Sequence, residues 1–124
     1  MLARRLLVVL ALSSLALTAC GGGGSEGGED CADLSNQGDT FSVTIENFEF
    51  TPSCFTASAS QSIRVHNADD AVHSFTLQGT DIDVDIAAGE TFEGEAISGV
   101  VEPGTYALIC TYHPEMKGDV TVVA

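Results

Sequence analysis

From Thr40 onward, apolar and polar residues trade places along the chain with the period of half-buried strands. Phe41, Val43 and Ile45 alternate with Ser42, Thr44 and Glu46, and Ile63 and Val65 alternate with Arg64 and His66. Val72, Phe75 and Leu77 surround His73, while Ile82, Val84 and Ile86 alternate with Asp81, Asp83 and Asp85 in a regular in/out pattern. Thr91 to Glu95, Thr105 to Cys110 and Asp119 to Val123 complete the set. Turn-rich breaks fall at 67–70, 87–90, 98–104 and 114–118. Nothing sustains a helical period for three turns. The pattern predicts an all-β domain, an antiparallel β-sandwich or barrel of about seven to eight short strands.

The first nineteen residues follow a different rule. Arg4 and Arg5 open a positive start, Leu6 to Leu17 is apolar, and Leu17-Thr18-Ala19-Cys20 closes the run. That order predicts an export signal over 1–19, and the apolar stretch is too short to favour a membrane span. The closing tetrapeptide resembles a bacterial lipobox, whose cysteine is acylated and becomes the new N terminus. Cys20 is therefore expected to carry lipid; plain cleavage after Ala19, leaving a free thiol, is the alternative. Gly21 to Asp30 follows at once as a Gly- and acid-rich stretch suited to a flexible tether. Several acyl chains on one cysteine anchor stably where a single chain does not. The expected organisation is a signal at 1–19, a lipidated cysteine and tether at 20–38, and one small domain at 39–124. Such a protein sits on the extracytoplasmic face of a prokaryotic membrane.

Removing residues 1–19 takes away Arg4 and Arg5 and no acid, which leaves Arg64 and Lys117 against eighteen carboxylates, a formal charge of −16. This balance excludes nucleic acid as a partner and makes acylation, not charge, the means of membrane attachment. Basic partners, or a high-salt habitat, would each suit such a surface.

Export places the remaining thiols where disulfides persist. With Cys20 assigned to lipid, Cys31, Cys54 and Cys110 remain. Pairing Cys31 with Cys54 closes a loop of about two dozen residues, worth ~3 kcal/mol in the chain-entropy description. The alternatives pair Cys110 with either one and leave an odd thiol. The first pairing is favoured because Cys110 keeps other company.

That company is the segment Cys110-Thr111-Tyr112-His113-Pro114-Glu115-Met116. It places a thiolate, an imidazole and a thioether at every third position, at the junction of a strand and a turn. Two histidines and a cysteine in a plane, with a weak axial methionine, form the donor set of blue-copper electron-transfer sites. Zinc seldom recruits methionine. A second histidine is then required, and two remain. His73 opens an apolar strand beside a loop, whereas His66 lies on the strand face opposite Ile63 and Val65, toward solvent. His73 is the better candidate. Taken singly, each of these residues has an ordinary structural explanation, such as Met116 filling a core gap or Cys110 acting as a small buried hydrophobe. Taken jointly, they favour a metal.

The domain resembles the cupredoxins. The Cys110–Met116 loop has the C-x2-H-x2-M spacing of amicyanin, and "NFEFTP", "HNADDAVHSF" and "PGTYALIC" fall where that family has counterparts. The resemblance covers most of residues 41–124 and implies a Greek-key fold with one copper held by His73, Cys110, His113 and Met116. Two departures stand out. Ser74 occupies a position often held by Asn, from which its hydroxyl can still reach Thr111, and Glu115 sits beside His113 where amicyanin keeps apolar neighbours.

The reading that follows is a membrane-tethered type 1 copper protein carrying single electrons. Its expected partners are redox proteins with basic docking surfaces (a cytochrome, oxidase or dehydrogenase), and it is expected to act as a monomer. Storage or delivery of copper without electron transfer is the alternative, and a structural β domain with an incidental loop is a third. No second histidine cluster, Ser-His-Asp arrangement or carboxylate pair stands out, so an enzyme is not expected.

Overall fold

The structure is a computed structural model that describes residues 31–95, 97 and 100–124. The expected signal at 1–19, the lipidation site Cys20 and the tether as far as residue 30 lie outside the described residues. Among the described residues ten strands follow in order: β1 (Ala32–Asp33), β2 (Thr40–Glu46), β3 (Glu49–Thr51), β4 (Cys54–Ser58), β5 (Ser62–Asn67), β6 (His73–Leu77), β7 (Asp83–Ile86), β8 (Thr91–Gly94), β9 (Gly104–Cys110) and β10 (His113–Val123). They form a six-stranded sheet, β1-β4-β10-β9-β6-β7, and a four-stranded sheet, β3-β2-β5-β8.

The alternating segments behave as their period demands. Phe41, Val43 and Ile45 of β2 and Ile63 and Val65 of β5 point inward from the smaller sheet. They meet Phe55, Phe75, Leu77, Leu108, Val120 and Val122 of the larger sheet in one apolar core. The two layers form a β-sandwich. Both sheets are mixed. β1/β4, β4/β10 and β2/β5 are parallel, and the remaining pairs are antiparallel. A period of two reports which residues face inward but carries no information on the direction of the neighbouring strand, so the parallel pairs have no sequence signal.

Two boundaries differ from the sequence reading. The packed domain includes residues before 39: β1 lies along β4, Leu34 is buried, and Cys31 is disulfide-bonded to Cys54. Gln61 fastens this segment, since its buried amide donates to the carbonyls of Leu34 and Gly38 at 2.9 and 2.8 Å. The stretch 114–118, expected as a turn, instead opens β10, and the turn proper is Thr111–Tyr112. An irregularity in the β9/β10 pairing between His113 and Lys117 absorbs the proline and lets the strand continue. Beyond it, Gly118 passes so close to Ser53 that a Cβ there would lie 2.0 Å from the Ser53 carbonyl oxygen. No side chain larger than hydrogen fits.

Candidate metal centre

Strand order brings the donors together. β6, β9 and β10 are neighbours, and the start of β6, the end of β9 and the start of β10 all lie at the same end of the larger sheet. His73 is the first residue of β6, Cys110 the last of β9 and His113 the first of β10. Cys110 and His113 are direct partners across the Thr111–Tyr112 turn, so their side chains leave the sheet on the same face.

One ligand atom from each of His73, Cys110 and His113 lies within 4.8 Å of the others. Cys110 Sγ is 3.8 Å from His73 Nδ1 and 3.6 Å from His113 Nδ1, and the two Nδ1 atoms are 3.1 Å apart. Bonds of ~2.0–2.3 Å from three donors to a common ion put those donors ~3.5–3.7 Å apart. The two sulfur–nitrogen sides are close to that length, and the nitrogen–nitrogen side, at 3.1 Å, is shorter. Two imidazole nitrogens at 3.1 Å also need a shared proton or a cation between them. Met116 is buried, 2% exposed, within the irregular opening of β10, and lines a surface hollow together with His113. The residues therefore fit a single type 1 copper, with two imidazoles, a thiolate and a thioether as its donors.

Their surroundings fix them. The backbone N–H of Ser74 donates to Cys110 Sγ at 3.3 Å, stabilising negative charge on sulfur. The buried Ser74 hydroxyl accepts the backbone N–H of Thr111 at 2.8 Å and the Thr111 hydroxyl at 3.2 Å, which ties β6 to the turn between Cys110 and His113. His66 stands away from the centre, bonded to the Thr91 hydroxyl at 2.8 Å. Cys110 is a free, buried thiol.

Two residues at the centre went unread in the sequence. Asp69 accepts the Nε2–H of His73 at 2.9 Å, which places the ring proton on Nε2 and leaves Nδ1 as a lone pair facing Cys110 and His113. The same carboxylate accepts the backbone N–H groups of Asn47 and Phe48 at 2.7 and 2.9 Å. Burial pushes the Asp69 pKa up, but these two N–H groups and His73 outweigh it and hold the group below its ordinary value. Asn67 holds the loop that carries Asp69, through bonds from its buried amide to the carbonyls of Ala71, Ile86 and Ala87. The second unread residue is Phe48, whose ring stands edge-on to His73 and His113 with centroids 5.2 and 5.0 Å away. At the rim, the Tyr112 hydroxyl donates to Asp85 at 2.7 Å, and that bond raises the phenol pKa above its ordinary value.

A sequence profile described as a cupredoxin-like domain matches residues 6–122. No curated protein matches the chain. Among solved structures, a copper-containing nitrite reductase from Thermus scotoductus SA-01 is similar at 20% identity and a TM-score of 0.56, covering 67% of this chain and 22% of the reductase. The chain thus spans about a fifth of that enzyme's length. An amicyanin variant in its oxidised state is similar at 19% identity and a TM-score of 0.56, covering 68% of this chain and 83% of amicyanin. A purple cupredoxin from Nitrosopumilus maritimus is similar at 20% identity and a TM-score of 0.52, covering 66% and 98%. At these identities the likeness is one of fold.

Proposed function

Because the chain belongs to the cupredoxin-like domain family, we propose that it carries single electrons on one copper held by His73, Cys110, His113 and Met116, while anchored to a membrane through an acylated Cys20. The observation that carries this reading is the convergence of His73 Nδ1, Cys110 Sγ and His113 Nδ1 within 4.8 Å of one another. Copper held there supplies a Cu(I)/Cu(II) couple. The protein's part is to keep the donors still, so that little has to move when charge changes. The sheet ends set Cys110 and His113, the Ser74–Thr111 bonds lock the turn between them, and Asp69 fixes the tautomer and direction of His73.

His113 is the donor nearest solvent and would give the electron its exit; Cys110 would supply the thiolate bond to copper, and Met116 would act on the potential. Exposed Phe48 and Tyr112 stand around that exit. The acid-rich surface attracts redox proteins with basic docking faces, and salt weakens the attraction. The Gly-rich stretch after Cys20 lets the domain reach such partners along one membrane surface, on the extracytoplasmic side.

Voltammetry of the copper-loaded protein tests the reading. A reversible one-electron couple with fast self-exchange is expected. Slow exchange together with ready loss of copper to an acceptor would instead assign the protein to copper storage or delivery. Mass spectrometry of the membrane-extracted chain tests the anchor, which requires an acylated Cys20 as the first residue.

A further inference from the structure

The β2–β3 hairpin turns in two residues. Glu46 pairs with Glu49, so Asn47 and Phe48 form the whole loop, with φ of 55° and 59°. Two left-handed residues in a row are the geometry of the hairpin turn that favours Asn followed by Gly. Asn47 conforms. Phe48 does not, because a bulky side chain is disfavoured in that region.

Burial does not explain the aromatic ring, since Phe48 is 50% exposed. What the ring touches is the pair of imidazoles, edge-on at 89° to His73 and 81° to His113. The turn is held for it by the carboxylate that also orients His73. Asp69 Oδ2 accepts both the Phe48 N–H and the His73 Nε2–H, while Oδ1 accepts the Asn47 N–H. One carboxylate thus fastens a ligand and the disfavoured backbone that carries the ring above it. A disfavoured conformation that persists at such a place points to function. Phe48 also lines two surface hollows, one shared with Tyr112, His113 and Pro114, the other with Glu49 and Phe50. Met116 lines both as well, and His113 lines the first, so the ring stands at the solvent side of two of the donors.

We propose that Phe48 is a positioning residue of the copper centre: its ring clamps the His73 and His113 imidazoles with both Nδ1 atoms turned inward, and covers the donors against solvent and competing chelators. The proposal rests on the copper reading for its second half and on the protein's own geometry for its first.

Phe48→Gly, Phe48→Leu and Phe48→Tyr in the full chain test it, metal-free and copper-loaded. Without metal, nitrogen-15 NMR of the imidazoles reads ring order, and thermal unfolding reads the fold. Glycine suits the turn, so Phe48→Gly is expected to unfold at the wild-type temperature or above it, while the His73 and His113 signals broaden; Phe48→Tyr restores them. When loaded, Phe48→Gly is expected to lose copper to a chelator about tenfold faster or more, with Phe48→Leu between. Sharp, wild-type imidazole signals in Phe48→Gly would overturn the clamp. Copper release that is unchanged, or that rises only in step with lost thermal stability, would overturn the cover. If the wild-type chain bound no copper, the copper reading and the cover would fail together, and the metal-free NMR would still decide the clamp.

Discussion

Cys110 and His113 face each other across a turn of two residues, with Sγ and Nδ1 3.6 Å apart. The hairpin alone therefore sets two of the donors, and a change of charge between them needs no movement of the chain. His73 comes from a different strand, and its orientation depends on Asp69, not on the hairpin.

Asp69→Ala leaves three donors without their acceptor: the His73 Nε2–H and the backbone N–H groups of Asn47 and Phe48. Copper affinity, measured by competition with a chelator, should fall ~10–100-fold, as is usual when the partner of a ligating imidazole is removed. Thermal unfolding of the metal-free chain should show a loss of ~1–3 kcal/mol. Unchanged affinity would mean that His73 is held by the sheet alone.

Met116→Leu keeps the donors His73, Cys110 and His113 and removes the thioether. The colour of the oxidised protein should persist and the reduction potential should rise, because a weakly bound thioether would tune that potential. Each tenfold loss of preference for Cu(II) appears as roughly 59 mV in a one-electron couple. Voltammetry that found a lower potential would remove Met116 from the site.

How much of this was legible in the sequence depends on the kind of signal. Inward-facing residues of β2 and β5 declare themselves by alternation, and Cys110, His113 and Met116 by donor chemistry packed into one short stretch. Asp69 did not declare itself. It is one of eighteen acids, and the link to His73 four residues on arises only when the intervening loop folds back over Asn67. Phe48 was hidden for a related reason, since its partners lie in the opposite sheet. β1 is two residues long and has no period to read. Strand β10 begins in a Pro- and Gly-containing stretch that reads as a turn, and only its pairing with β9 makes it a strand.

Gly118→Ala should destabilise the fold by ~1–3 kcal/mol, the range for a group forced into filled space. The added Cβ would meet a backbone carbonyl at 2.0 Å, and a backbone cannot rotate aside as a side chain can. Met116 is two residues away, so a displaced strand should also disturb the visible spectrum. Denaturant unfolding with matched spectra checks both effects.

Replacing Cys31 and Cys54 together by serine removes the bond that joins residues 23 apart. The chain-entropy description expects a loss of about 3 kcal/mol. The copper spectrum should not change, because the site draws on Cys110 and neither of these sulfurs. A lost or altered spectrum would show that the segment from residue 31 to 38 supports the metal centre.

Whether Cys110, His73 and His113 bind copper together is decided by the visible spectrum of the oxidised, copper-loaded chain. The wild type should show an intense thiolate-to-copper band that disappears in Cys110→Ala. No such band in the wild type, or an intense band that survives Cys110→Ala, would contradict it.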